Sequence, residues 1–239
     1  MSPQPVIDTT KPILVTGATG YIASWIIKLL LERGLHVRGT VRNPDKASSV
    51  EHLQALATDT QGSLELVKAD LLEEGSFDEA AKGCELVIHT ASPFILSGFK
   101  DANEALVKPA VDGTHSVLNA CNQSGSVKRV VLTSSVASIY GDNIDMRKVD
   151  GVFSEMDWNT TSSVDHQPYS YSKVSAEREA WKMAGTQPVG QLHWDLVTIN
   201  PSLVLGPSLA KNSDSGSIDT FKKLCDGTMK TGAPNLTLG

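Results

Sequence analysis

The chain is expected to fold as an α/β protein with a doubly wound, mostly parallel sheet, and three observations carry that expectation. Short aliphatic runs alternate with longer helical patterns from Pro12 onward, several runs are apolar at every position, and a glycine-rich turn directly follows the first run. Strands separated by helix-length segments imply right-handed crossovers between parallel neighbours. Unbroken runs such as Leu86-Val87-Ile88 and Arg129-Val130-Val131-Leu132 suit central strands covered on both faces.

In chain order, strands are expected at 13–15, 36–41, 64–67, 85–89, 129–132 and 196–199. Helices are expected at 21–33, within 44–57, and at 76–81, 103–123 and 169–184. The polar segment 141–167 reads as a long loop over the carboxyl edge of the sheet, where loops shape binding sites. Residues 1–10 read as a polar leader and 11–207 as a dinucleotide-binding domain. Residues 208–239 read as the start of a substrate-binding region whose greater part is absent.

Composition excludes several classes. The 239 residues are 40% hydrophobic and 20% charged, with no membrane-length apolar run, so neither a transmembrane helix nor membrane association is expected. The first ten residues lack the basic start and apolar core of a signal peptide, and a cytoplasmic address follows by default. Cys84, Cys121 and Cys225 are far apart and show no Cys-x-x-Cys spacing, which suits reduced thiols rather than disulfides or a zinc site. The six histidines show no metal-ligand spacing, so no metal is expected. A net charge of −6 with scattered signs excludes a nucleic-acid surface and leaves a small molecule as the partner of a monomer or homodimer.

Gly17-Ala18-Thr19-Gly20-Tyr21-Ile22-Ala23 leaves the first strand and opens the first helix, the context in which a glycine pattern indicates a dinucleotide pyrophosphate. Gly17 permits the tight turn, Gly20 lets backbone approach the phosphates, and free amides at the helix start meet their charge. Thr19, Tyr21 and Ile22 complete the expected loop contacts. A glycine turn serving chain reversal alone is the competing reading. At the end of the second strand, where a carboxylate would hold a ribose 2′-hydroxyl, the chain has Thr40-Val41-Arg42 with Lys46 nearby. Two cations suit the 2′-phosphate of NADP(H), the alternative being a solvated basic loop. Asp70, followed by Leu71, is placed either to touch adenine or to cap the next turn.

Tyr169 and Lys173 lie four apart on an expected helix and therefore share a face. A lysine there is expected to lower the phenol pKa towards neutrality. Ser135, at the mouth of the fifth strand, is positioned to hydrogen-bond a substrate oxygen as charge grows on it. Tyr171 rivals Tyr169, Ser134 rivals Ser135, and Thr133 rivals both; a packing tyrosine with a solvated lysine is the alternative to chemistry.

Together with His89-Thr90-Ala91-Ser92-Pro93, Leu132-Thr133-Ser134-Ser135 and Asn200-Pro201-Ser202 followed by Gly206-Pro207, these motifs resemble the extended short-chain dehydrogenase/reductase superfamily. More narrowly, the chain resembles the dihydroflavonol reductase, cinnamoyl-CoA reductase and methylglyoxal (carbonyl) reductase branch, over about 13–207. The resemblance implies a Rossmann fold, catalysis by Ser135, Tyr169 and Lys173, and an NADP phosphate held by Arg42 and Lys46. It also implies cofactor contacts at Thr90, Ala91, Ser92 and Thr133, with Pro201 and Ser202 at the nicotinamide end. Plant dihydroflavonol reductases carry an asparagine five residues beyond the catalytic serine, where this chain has Tyr140, so a flavonoid is not the implied substrate. With Phe94, Ile95 and Leu96 nearby, a smaller or more apolar carbonyl compound is expected.

The expected reaction is NADPH-dependent reduction of an aldehyde or ketone, with Tyr169 as proton donor. Its rivals are an NAD(P)-dependent sugar-nucleotide epimerase or dehydratase, against which Arg42 speaks, and a non-catalytic NADP(H)-binding module, against which the Tyr169–Lys173 pair speaks.

Overall fold

A computed structural model describes residues 4–92, 101–148, 152–190, 192–211, 215–230 and 232. The first strand, β1 (Ile13–Thr16), is buried at every position, as its unbroken apolar run requires. It feeds α1 (Tyr21–Glu32), which turns Ala23, Ser24, Ile27 and Leu31 towards the sheet. The chain continues through β2 (His36–Val41), α2 (Ala47–Thr58), β3 (Ser63–Lys68), α3 (Asp78–Ala81) and β4 (Leu86–His89). A π-helical turn (Asn103–Val107) runs into α4 (Lys108–Ser124), which stops at Gly125 in the left-handed conformation that glycine adopts at low cost. Then come β5 (Arg129–Thr133), a 3-10 turn (Val136–Ser138), α5 (Asn143–Lys148), α6 (Pro168–Gly185), β6 (Asp195–Ile199) and α7 (Gly216–Cys225).

All six strands pair in parallel in the order β3-β2-β1-β4-β5-β6, which makes this the doubly wound Rossmann sheet expected. Alternate residues of each strand serve opposite faces. Val15, Val37 and Val41 pack with Ile27 and Leu31 of α1 and Val50 and Leu53 of α2. Leu14, Val87, Val130 and Leu196 pack with Phe77, Val117, Leu118 and Ala180 on the other side. The order reverses between β1 and β4, and their carboxyl ends open the crevice in which such sheets bind ligands.

Two elements were not expected. The segment read as a long loop contains α5, and α7 follows the last strand with none of its residues buried.

Candidate active site

The crevice begins at Gly17, whose φ of +66° sends the chain sharply out of β1. Its backbone lies so close to the end of β4 that a Cβ there would stand 2.9 Å from the Cα of Ala91. Gly17→Ala combines left-handed backbone with a clash against main chain, each costing about 1–3 kcal/mol. The variant is expected to melt several degrees lower and to lose dinucleotide affinity, as thermal melts with and without NADPH would show.

The loop is pinned by Thr40, whose carbonyl accepts from the Ala18 amide at 2.8 Å and whose hydroxyl accepts from the Gly17 amide at 3.1 Å. Gly20 caps α1 without a side-chain bond, and the first turn holds no acidic residue. The positive helix end is therefore left for an anion. Thr19 and Gly20 are exposed, and Tyr21 and Ile22 partly so. Tyr21 donates to the Gly206 carbonyl at 2.9 Å and Trp25 to that of Pro207 at 2.9 Å, which holds this later segment beside the loop.

Arg42 and Lys46 are both exposed just beyond β2, and neither forms an ion pair among the described residues. Asp70 behaves as a cap: its Oδ1 accepts from the Leu72 amide at 3.0 Å, and its carbonyl accepts from Ser76 Oγ at 2.7 Å. Leu71 packs against Gly113 of α4.

At the β4 exit, Thr16 Oγ1 accepts from the amides of Thr90 at 3.1 Å and Ala91 at 3.0 Å. Its proton is thereby directed to His89 Nδ1, 2.8 Å away, and fixes the ring as the Nε2–H tautomer. Burial, and then the Lys173 charge, pull His89 down to about 4, so it stays neutral. Pro93, Phe94, Ile95 and Leu96 lie outside the described residues.

Ser135, Tyr169 and Lys173 converge. The Ser135 side chain faces the Tyr169 phenol closely enough to lower its pKa. Lys173 Nζ stands 5.7 Å from the centre of the Tyr169 ring and donates to Ser92 Oγ at 2.9 Å. Since Ser135 Oγ accepts from the Ala137 amide at 3.2 Å, its own proton is free to point at the phenolic oxygen. The alternation at the end of β5 separates the rival serines: Ser134 turns inward to a buried carboxylate, Glu177, while Ser135 meets Tyr169. Thr133 lines a cavity of about 20 Å³ behind the triad, with His89, Ser92, Thr114, Lys173 and Glu177.

One electrostatic expectation is corrected. Burial pushes the Tyr169 phenol above its ordinary value, and the nearby Ser135 hydroxyl only partly opposes this. The same burial holds the Lys173 ammonium down to about 8. In the chain alone, desolvation prevails and the phenol remains protonated, ready to donate.

Entry into α6 is set by Gln167, the one non-glycine residue with positive φ (54°) among those described. Its side-chain Nε2 donates to Asp142 at 2.8 Å and its Oε1 accepts from Ser162 Oγ at 3.3 Å, holding that unfavourable backbone just ahead of Tyr169. Tyr140 is buried and stacks on Phe153 at 5.1 Å. Pro201, partly exposed like Ser202, accepts from the Val136 amide at 3.0 Å and so borders the turn after Ser135. Among the described residues no cluster of metal-ligating side chains occurs, and no helix is long and apolar enough to cross a membrane.

The fold is a dinucleotide-type α/β domain with Ser135, Tyr169 and Lys173 gathered at the edge of its crevice, and sequence comparison supplies its family. The model of the NAD dependent epimerase/dehydratase family matches residues 13–225, and the chain belongs to that family. It is 46% identical over 200 residues to the cinnamoyl-CoA reductase CAD2 of Medicago truncatula, covering 82% of this chain and 59% of that protein. It is 40% identical to tetraketide alpha-pyrone reductase 1 of Arabidopsis thaliana, covering 91% of this chain and 65% of that one. Among solved structures, Gre2 of Candida albicans in complex with NADPH superposes with a TM-score of 0.75 at 31% identity, over 95% of this chain and 68% of that one. The chain thus spans roughly three-fifths of the length of these curated relatives.

Proposed function

We propose that the chain is the cofactor-binding and catalytic part of an NADPH-dependent reductase that converts an aldehyde or ketone to an alcohol. The observation that carries this reading is the meeting of Ser135, Tyr169 and Lys173 at the carboxyl edge of the sheet, beside the β1–β4 crevice. Its relatives are named as reductases, and one solved neighbour holds NADPH.

The residues fit the dinucleotide: Gly17 leaves room that a side chain would fill, the start of α1 is open to phosphate, and Arg42 and Lys46 present charge that forms no ion pair among the described residues. When bound, NADPH supplies the hydride. The chain does the rest. Ser135 donates a hydrogen bond to the substrate oxygen, and Tyr169 gives its proton to that oxygen as charge accumulates. Lys173, beside the ring, stabilises the phenolate left behind until solvent reprotonates it. Pro201 and Ser202 would border the nicotinamide end of a bound NADPH, and Asp70 and Leu71 the adenine end. Residues 208–239 are read as the beginning of a substrate-binding region. A cytoplasmic setting fits the three free cysteines, two of them buried.

The test is consumption of NADPH against a panel of small aldehydes, diketones and aryl ketones, with NADH in parallel. Turnover with NADPH and a marked preference over NADH are expected; no turnover with any member by a chain that binds NADPH would overturn the reading. Arg42→Asp is expected to weaken NADPH binding by about 10- to 100-fold, through loss of a charge-assisted bond and gain of repulsion, while NADH binding holds or improves. Titration of the two nucleotides by fluorescence would show it.

A further inference from the structure

Behind the triad lies a polar network that the proposed chemistry does not use. Glu177 on α6 is only 6% exposed. Its Oε2 accepts from the Ser134 hydroxyl and, at 2.9 Å, from Asn200 Nδ2. The same Asn200 nitrogen donates to the Ser135 carbonyl at 3.0 Å. A carboxylate is acceptor-only, so the directions are forced: Ser138 donates to Ser134 across 2.8 Å, and Ser134 and Asn200 donate to Glu177. Among the described residues the remaining oxygen, Oε1, receives a single long contact, 3.4 Å, from Trp181 Nε1.

The consequence is geometric. Ser135 lies two residues beyond β5, whereas Tyr169 and Lys173 ride on α6, and serine and phenol stay face to face only if strand and helix keep register. Glu177 lies four residues beyond Lys173 and eight beyond Tyr169, on the same helical face. Through Ser134 it grips the residue before Ser135, and through Asn200 it grips Ser135's own peptide.

We infer that Glu177 is a positioning residue: its carboxylate locks the Ser135 peptide just beyond β5 to the helix that carries Tyr169 and Lys173. It does not touch substrate. Because Ser134 and Asn200 share one oxygen, a glutamine with its carbonyl in that place keeps both bonds, and alanine keeps neither. The inference rests on the reductase reading for its kinetic readout alone.

The experiment compares Glu177→Ala, Glu177→Gln and Asn200→Ala with the unaltered chain. It measures kcat and KM for NADPH with a reducible aldehyde, and the titration of the Tyr169 phenol by NMR of ring-labelled tyrosine, assigned with Tyr169→Phe. Glu177→Ala and Asn200→Ala are expected to lose about 100-fold in kcat, as for misplaced catalytic groups, with KM for NADPH unchanged. In both, the Tyr169 titration moves up as the Ser135 hydroxyl is drawn away from the phenol, and Glu177→Gln stays close to the parent in both readouts. Should Glu177→Ala fail to fold, Asn200→Ala and Glu177→Gln decide. A Tyr169 titration unmoved in folded Glu177→Ala or Asn200→Ala overturns the inference, as does a Glu177→Gln that loses as much as alanine. If the parent chain binds NADPH but reduces nothing while the titrations shift as stated, the positioning role stands and the reductase reading falls.

Discussion

Replacing Tyr169 by phenylalanine is expected to lower kcat by about 10²–10⁴-fold, the span typical of a positioned proton donor, and to leave NADPH affinity essentially intact. The ring carbons remain to pack beside Lys173, whose ammonium lies 5.7 Å from the ring centre, so the surroundings need not rearrange. Only the hydroxyl goes. With it go the proposed proton donor and the group facing Ser135. Because burial holds the phenol above its ordinary value in the chain alone, the parent's tyrosine is fully protonated at neutral pH. Rapid-mixing measurement of NADPH binding and of turnover separates the effects; a variant with normal kcat would remove Tyr169 from the chemistry.

The second large effect has opposite signs in two assays. Lys173→Met is expected to abolish turnover and yet to raise the Tm of the ligand-free chain at pH 7. Burial holds the ammonium at about 8 against an ordinary 10.5, a penalty on the order of 3 kcal/mol at neutral pH. Solvent reaching the partly exposed side chain, and loss of the hydrogen bond to Ser92, reduce the net gain to about 1–2 kcal/mol. That corresponds to roughly 2–8 °C for a domain of this size.

The sign of the pH dependence follows from linkage. Between about 8 and 10.5 the unfolded lysine still holds its proton while the folded one has lost it, so the parent gains stability as pH rises through that window. Below 8 the whole penalty is present. The Tm advantage of Lys173→Met should therefore be greatest at pH 7 and shrink towards pH 10, as scanning calorimetry across that range would show. An advantage that grows with pH would contradict the buried-ammonium picture.

Much of this was legible in the residues. Every strand falls within about a residue of its expected bounds, because parallel strands covered on both faces leave unbroken apolar runs that no helix period imitates. The glycine turn was legible because β1 and β4 approach too closely for any side chain at residue 17. The tyrosine and lysine share a face for the elementary reason that a helix repeats near four residues. Missing were the groups whose role depends on what lies across from them. Glu177 precedes Arg178 and Glu179 and reads as surface charge, and nothing local shows that it is buried against Ser134 and Asn200, just beyond β5 and β6. Asn200 stands in a quoted motif, but its two bonds join Ser135 and Glu177, 65 and 23 residues away. The phenol's direction of shift was misjudged because proximity of a cation is visible in spacing, whereas burial is not.

The most direct test of a hydride-transferring Ser135–Tyr169–Lys173 site is a single-turnover reaction with the chain in excess over NADPH deuterated at the transferring carbon, and an aryl aldehyde as acceptor. Deuterium on the carbinol carbon of the alcohol, lost in Tyr169→Phe, is the predicted result. Tightly bound NADPH that survives unoxidised in the presence of acceptor would contradict it.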